Sequence, residues 1–228
     1  MKRRMFLKRL GVDEPSGAPG LPALRQGVPH PGSPGPKIFT NALLRTHENR
    51  EVRFYDDLIK GKQVLITLMY ATCEGACPVV TSRLVKVYEA LKDRMGKDLF
   101  MYSMTVKPED DDPAALKHYV EMHGAQLPGW VFLTGDPYDM ETIRYNLFRM
   151  DHIMVDTDIY SHTSFMQIIN DATNRWLHVD PMASMSTILK KISWANPPRS
   201  FAERMEENKK LQEKIDRERK VHGYRNTV

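Results

Sequence analysis

Two cysteines, Cys73 and Cys77, are the residues of this 228-residue chain whose type and spacing point most directly to chemistry. They are the only cysteines present and sit in Tyr70-Ala-Thr-Cys73-Glu-Gly-Ala-Cys77-Pro78. Thiols this close on a tight loop can close a disulfide or hold one metal ion, and a single pair is too few for a disulfide scaffold. The competing reading is a pair of inert core cysteines, which are common. Their joint placement at a strand-to-helix turn favours reactivity. The unpaired N–H groups and positive dipole end of a helix stabilise a thiolate.

The elements that must position the pair are legible on both sides. Val64 to Tyr70 is a compact apolar run bounded by Gly61-Lys62 and Gly75, which predicts a buried strand. Beyond the cysteines, Val79, Val80, Leu84, Val87, Tyr88 and Leu91 recur at helical spacing. Pro78 suits a first helical turn, where its missing N–H is not needed. Cys77 is therefore expected at or just before a helix N-terminus, with Cys73 in the loop ahead of it.

Composition sets the frame. Hydrophobic content of 41% and charged content of 27% are ordinary for one globular domain with some sequence left over. The net charge of +4 is mild, and much of the excess lies at Lys2, Arg3, Arg4, Lys8 and Arg9. Such a basic terminus suits peripheral contact with anionic lipid or a targeting receptor. No basic groove with interleaved aromatics suggests nucleic acid. No apolar run has the length needed to span a bilayer.

The cysteine stretch resembles the signature of the Sco/SenC family, thioredoxin-fold proteins of copper delivery to cytochrome c oxidase. Three further segments follow in the family's order. Met104-Thr-Val-Lys-Pro-Glu-Asp-Asp-Asp-Pro113 resembles its Val-Asp-Pro-Glu-Arg-Asp-Thr-Pro, Leu133-Thr-Gly135 its Leu-Thr-Gly, and Asp158-Ile-Tyr-Ser-His162-Thr-Ser-Phe165 its distant histidine before a strand. The resemblance covers about Phe39 to Ile192. It implies a metal site of Cys73, Cys77 and His162, copper as the ion, and Cys73 and Cys77 as a redox pair. His162 follows Cys77 by 162 minus 77, or 85, positions, a separation that only a fold can close. The chain departs from the family pattern at Glu74 (usually Pro), at Lys107 (usually an acid) and at Ser161 (usually Asp).

Taken in order, Lys2-Arg3-Arg4-Met5-Phe6-Leu7-Lys8 resembles the twin-arginine export motif, without the apolar region that normally follows. Residues 11–37 form a Pro/Gly-rich linker, expected as an extended arm. Two short strands flank His47-Glu-Asn-Arg50, the second carrying Val52, Phe54 and Tyr55. Leu99 to Val106 predicts a strand and Ala114 to His123 a helix opened by Asp112-Pro113. Trp130 to Leu133 is a short strand, and Asp136-Pro137 opens a helix through Phe148. Ser164 to Asn170 and Arg175 to Val179 predict a hairpin, and Met185 to Ile192 a closing helix. Strands alternating with helices, then a hairpin, predict an α/β thioredoxin-like fold over 38–195. An N-terminal β-hairpin opens it, the extended N-terminal arm precedes it, and a long charged C-terminal helix and tail follow over 196–228. On that helix Phe201, Met205, Leu211 and Ile215 form one apolar stripe, which suggests packing on its own domain or on a partner.

Two thiolates and an imidazole are a soft donor set that favours Cu(I) and also serves Cu(II). Zinc accepts the same ligands, but a structural zinc site wants four, and only His152, His178 and Met69 offer themselves. The reading is thus a copper metallochaperone delivering to a cytochrome c oxidase subunit or other cuproprotein. It works in the periplasm, or on a membrane facing it, or in the mitochondrial intermembrane space. The rivals are a thiol–disulfide reductase acting on a partner's cysteines and a structural or assembly subunit docked through its tail helix.

Overall fold

The computed structural model describes residues 39–148 and 165–196, together with parts of the segment 205–216. The chain folds around β3 (Gln63–Met69), whose seven residues are all buried. A strand sealed on both faces needs apolar side chains in both directions. Leu65 and Met69 enter one core layer while Val64, Ile66 and Leu68 enter the other. β3 pairs in parallel with β4 (Leu99–Thr105), and β4 in parallel with β5 (Trp130–Gly135). A hairpin of β1 (Leu43–Thr46) and β2 (Glu51–Arg53) adds antiparallel to β5. A second hairpin, β6 (Met166–Asn170) and β7 (Arg175–Val179), adds antiparallel to β3. The sheet order is β2-β1-β5-β4-β3-β6-β7.

Helices cover both faces. α1 (Ala76–Leu91), α2 (Pro113–Met122) and α4 (Met185–Trp194) lie over the layer that contains Leu65 and Met69. α3 (Pro137–Phe148) covers the opposite face through Met140, Ile143 and Leu147. The expected caps are present. Asp112 accepts the Ala115 N–H at 2.8 Å, with Pro113 opening α2. Asp136 accepts the N–H groups of Tyr138 and Asp139 at 3.0 and 3.2 Å. These bonds satisfy first-turn donors that have no partner within the helix.

One stretch folds otherwise than its sequence suggests. Phe54 and Tyr55 do not extend β2 but open a wide single helical turn, Phe54–Ile59, closed by the Lys60 N–H on the Tyr55 carbonyl at 2.9 Å. The cause is side-chain capping from a distance. Asn41 Oδ1 accepts from the N–H groups of Tyr55 and Asp56 at 3.2 and 3.1 Å, and Asp57 accepts from Arg53 N–H at 2.6 Å. Those acceptors replace a strand partner, and Phe54 and Tyr55 still reach the core.

The described tail residues are helical. Ile215 is 3% exposed against Ala90 of α1 and Leu189 of α4, so this part of the stripe packs on its own domain. Met205 is 54% exposed. Ile215→Ala should therefore lower unfolding stability by about 2 kcal/mol, the low end for such truncations because the cluster is small. Met205→Ala should leave the urea midpoint unchanged. Equal midpoints for the two variants would show that the tail does not stay seated in solution.

Candidate metal and redox site

Cys73 and Cys77 are free thiols, 7% and 2% exposed, in the loop after β3 and in the first turn of α1. Cys77 lies inside the helix, one residue later than its first position. The loop is pinned at its start, where the Cys73 N–H donates to the Tyr70 carbonyl at 3.3 Å. Gly75, which precedes α1, has no side chain to cap the helix. Cys73 Sγ fills that role and accepts the Cys77 N–H at 3.4 Å. A sulfur that receives first-turn N–H groups sits where negative charge is best tolerated on a helix.

The two thiols are consequently unlike. Burial alone pushes Cys73 up. That push is outweighed by the donors converging on its sulfur, namely the Cys77 thiol, the N–H groups of Cys77 and Gly75 and the Tyr70 hydroxyl, so its pKa falls below the ordinary thiol value. For Cys77, burial is the main cause of a rise to about 12, reinforced by its hydrogen bond to Cys73 and by the charges of Cys73 and Asp111. Of the two sulfurs, Cys73 is therefore the readier to carry negative charge and Cys77 the one that keeps its proton.

Asp111 is the charged group behind this pair. It is 0% exposed, and burial raises its pKa above the usual carboxylate value. Its Oδ2 accepts the Ala71 N–H at 2.9 Å and the Thr105 hydroxyl, tying the cysteine loop to the end of β4. Its Oδ1 has no hydrogen-bond partner among the described residues. Tyr119 of α2 backs the other side, its hydroxyl 2.8 Å from Thr81 Oγ1 of α1. Burial raises the Tyr119 pKa, and the charges of both cysteines add to the rise.

Of the residues expected at the site, Cys73 and Cys77 come together, and His162 and His152 lie outside the described residues. Met69 is buried in the core layer that contains both cysteines. His178 is exposed on β7, edge-on to the Phe165 ring at 5.9 Å. Among the described residues no set of three His, Cys, Asp or Glu side chains forms a metal cluster. Sequence reasoning missed Tyr70 and Asp111. Nothing in Asp110-Asp111-Asp112 marks the middle carboxylate as the buried one, and a tyrosine closing a strand reads as core.

This asymmetry has a direct chemical consequence. Limiting iodoacetamide at pH 7.5 should label Cys73 at least about tenfold faster than Cys77, as read by peptide mass mapping, because the thiolate is the nucleophile. Equal labelling would mean that the donors around Cys73 Sγ do not bias the pair.

The SCO1/SenC family model matches residues 43–196. An SCO2-like protein of Rickettsia conorii is 26% identical over 136 residues, which is 57% of this chain and 63% of the relative, so the match spans less than two thirds of that protein's length. Among solved structures, BsSco, a member of the Sco family of cytochrome c oxidase assembly proteins with a disulfide switch, aligns with a TM-score of 0.53. It is 22% identical, over 67% of this chain and 90% of that one. Yeast Sco1 with copper bound aligns with a TM-score of 0.51 at 20% identity, over 68% and 92% of the two chains. These likenesses establish the thioredoxin-like fold. With the family match running from β1 through α4 and both cysteines within it, the chain belongs to the SCO1/SenC family.

Proposed function

We propose that this chain is a copper metallochaperone that holds one copper ion through Cys73, Cys77 and His162 and passes it to a cytochrome c oxidase subunit or another cuproprotein. The observation that carries the reading is the pair of free, adjacent thiols, one with a lowered and one with a raised pKa, in the turn from the central strand into α1. A soft cation replaces the Cys77 proton, and with an imidazole the donor set suits either copper oxidation state. Yeast Sco1, Arabidopsis thaliana ScoI and Bradyrhizobium japonicum ScoI share the fold and have been solved with copper bound.

Topology supports His162 as the third ligand. β6 runs antiparallel to β3 with Ile66 opposite Gln167, so β6 begins beside the end of β3 that leads to Cys73. His162 precedes Phe165 by three residues, a reach of at most about 11 Å.

In this reading residues 1–10 are a basic twin-arginine-like segment, 11–37 a Pro/Gly-rich linker, 38–195 the thioredoxin-like Sco domain and 196–228 a charged C-terminal helix and tail. The site faces the periplasm or the mitochondrial intermembrane space, and the basic start lies against a membrane surface. No helix among the described residues is long and apolar enough to cross a membrane. On the tail, Met205 is the exposed contact that a docking partner would meet.

The unequal thiols favour a second activity on the same pair. A thiol of lowered pKa at Cys73 beside a neighbour that keeps its proton is the arrangement of a thiol–disulfide reductase, which attacks with one sulfur and resolves with the other. The two activities alternate, because copper needs the dithiol.

Titration of Cu(II) into the reduced chain should reach about one copper per chain and develop a thiolate-to-copper charge-transfer band. His162→Ala should remove that band, while His152→Ala and His178→Ala retain it. A spectrum unchanged by His162→Ala would leave thiol exchange as the better account.

A further inference from the structure

Behind Cys73 lies a cation that the proposed function does not use. Lys107 follows β4, and its backbone is held by three bonds. Its N–H donates to Thr105 Oγ1 at 2.9 Å, and its carbonyl accepts from the N–H groups of Asp110 and Asp111 at 3.1 and 2.9 Å. With the backbone fixed, the side chain reaches over Tyr70, placing Nζ 4.6 Å from the ring centroid. Tyr70 in turn donates its hydroxyl to Cys73 Sγ. An ammonium over the face of a phenol draws electron density from the ring and makes its O–H a stronger donor. The same ammonium faces the Asp111 carboxylate, whose charge opposes a second anion at Cys77. The charged and titratable groups around the pair include Glu74 between the two cysteines, Lys107, Asp110, Asp111, Tyr70 and Tyr119.

We propose that Lys107 is a positioning residue for the cysteine pair: its ammonium, held over the Tyr70 ring, favours the dithiol over the disulfide and so sets the redox poise of Cys73 and Cys77. The reaction is protein disulfide plus two glutathione thiols giving protein dithiol plus glutathione disulfide. Two electrons pass to the protein sulfurs and the two glutathione protons pass with them. Where Cys73 remains a thiolate, one proton goes to solvent. The chain is thereby held in the form that can accept a soft metal. The inference rests on the redox pair of the proposed function and is independent of copper.

The test equilibrates the full, metal-free chain with glutathione buffers of graded ratio in the presence of chelators, then quenches with acid and alkylates. Lys107→Arg keeps the charge and should reproduce the wild-type equilibrium within about twofold. Lys107→Met keeps the stem without the charge and should shift the equilibrium toward disulfide by more than about twofold, because only the part of the cation–aromatic contact that differs between dithiol and disulfide counts. Lys107→Glu should shift it further in the same direction. In a Tyr70→Phe background the Lys107→Met shift should shrink, and high salt should shrink it in the wild-type background. Lost packing alone would not order the variants by charge. Equal equilibria for lysine, methionine and glutamate would overturn the inference, and so would a shift undiminished in Tyr70→Phe. Failure of the wild-type chain to form any Cys73–Cys77 disulfide would overturn the inference and the redox pair together.

Discussion

A strand buried on both faces leaves its side chains no exit to water and its backbone no partners outside the chain. β3 is such a strand. Its backbone is satisfied by β4 on one side and β6 on the other, and its alternating side chains anchor two separate core layers. Full burial of each large aliphatic side chain contributes roughly 1.5–3 kcal/mol, so Val64, Leu65, Ile66 and Leu68 form one of the strongest local anchors in the fold. That rigidity is transmitted to the loop that follows. Tyr70 is held between the two layers, Ala71 is tied to Asp111, and Cys73 is delivered to the start of α1.

Chemistry arises where this rigid strand meets a helix with no side-chain cap. First-turn N–H groups must find an acceptor, and the nearest one is a sulfur. Placing Cys73 there makes one thiol acidic. Keeping Cys77 two positions into the helix, under Tyr119 and near a buried carboxylate, keeps the other protonated. A symmetric dithiol would bind a metal but lack a preferred attacking sulfur, whereas an isolated acidic cysteine would lack a partner. In the proposed function metal capture and disulfide chemistry share this locus, and the two electrons and accompanying protons that convert dithiol to disulfide separate them.

The strand, the cysteine helix and both Asp-Pro openings were legible because each rests on a local signal: a dense apolar run, helical spacing, or a cap beside a proline. The turn at Phe54–Ile59 was not, because its acceptors come from Asn41 and Asp57 and only the fold brings Asn41 close. Two aromatic residues after a strand read as more strand until that capping is known. Within the site, the cysteines were legible from rarity and spacing. Asp111 was not, because its two flanking aspartates are identical in type and face solvent. Lys107 stood out only as a departure from the family pattern, and its contact with the Tyr70 ring depends on the fold. The tail stripe predicted a packed helix without saying against what, and Ile215 in the groove between α1 and α4 answers that for one position.

The central claim is that a soft cation is held by both sulfurs and one imidazole. It is tested most directly by copper X-ray absorption on the reduced chain carrying one equivalent of Cu(I), compared with His162→Ala. The account predicts a shell of two sulfurs and one nitrogen, with the nitrogen lost in the variant. A sulfur-only shell in the wild-type chain, unaltered by His162→Ala, would contradict it.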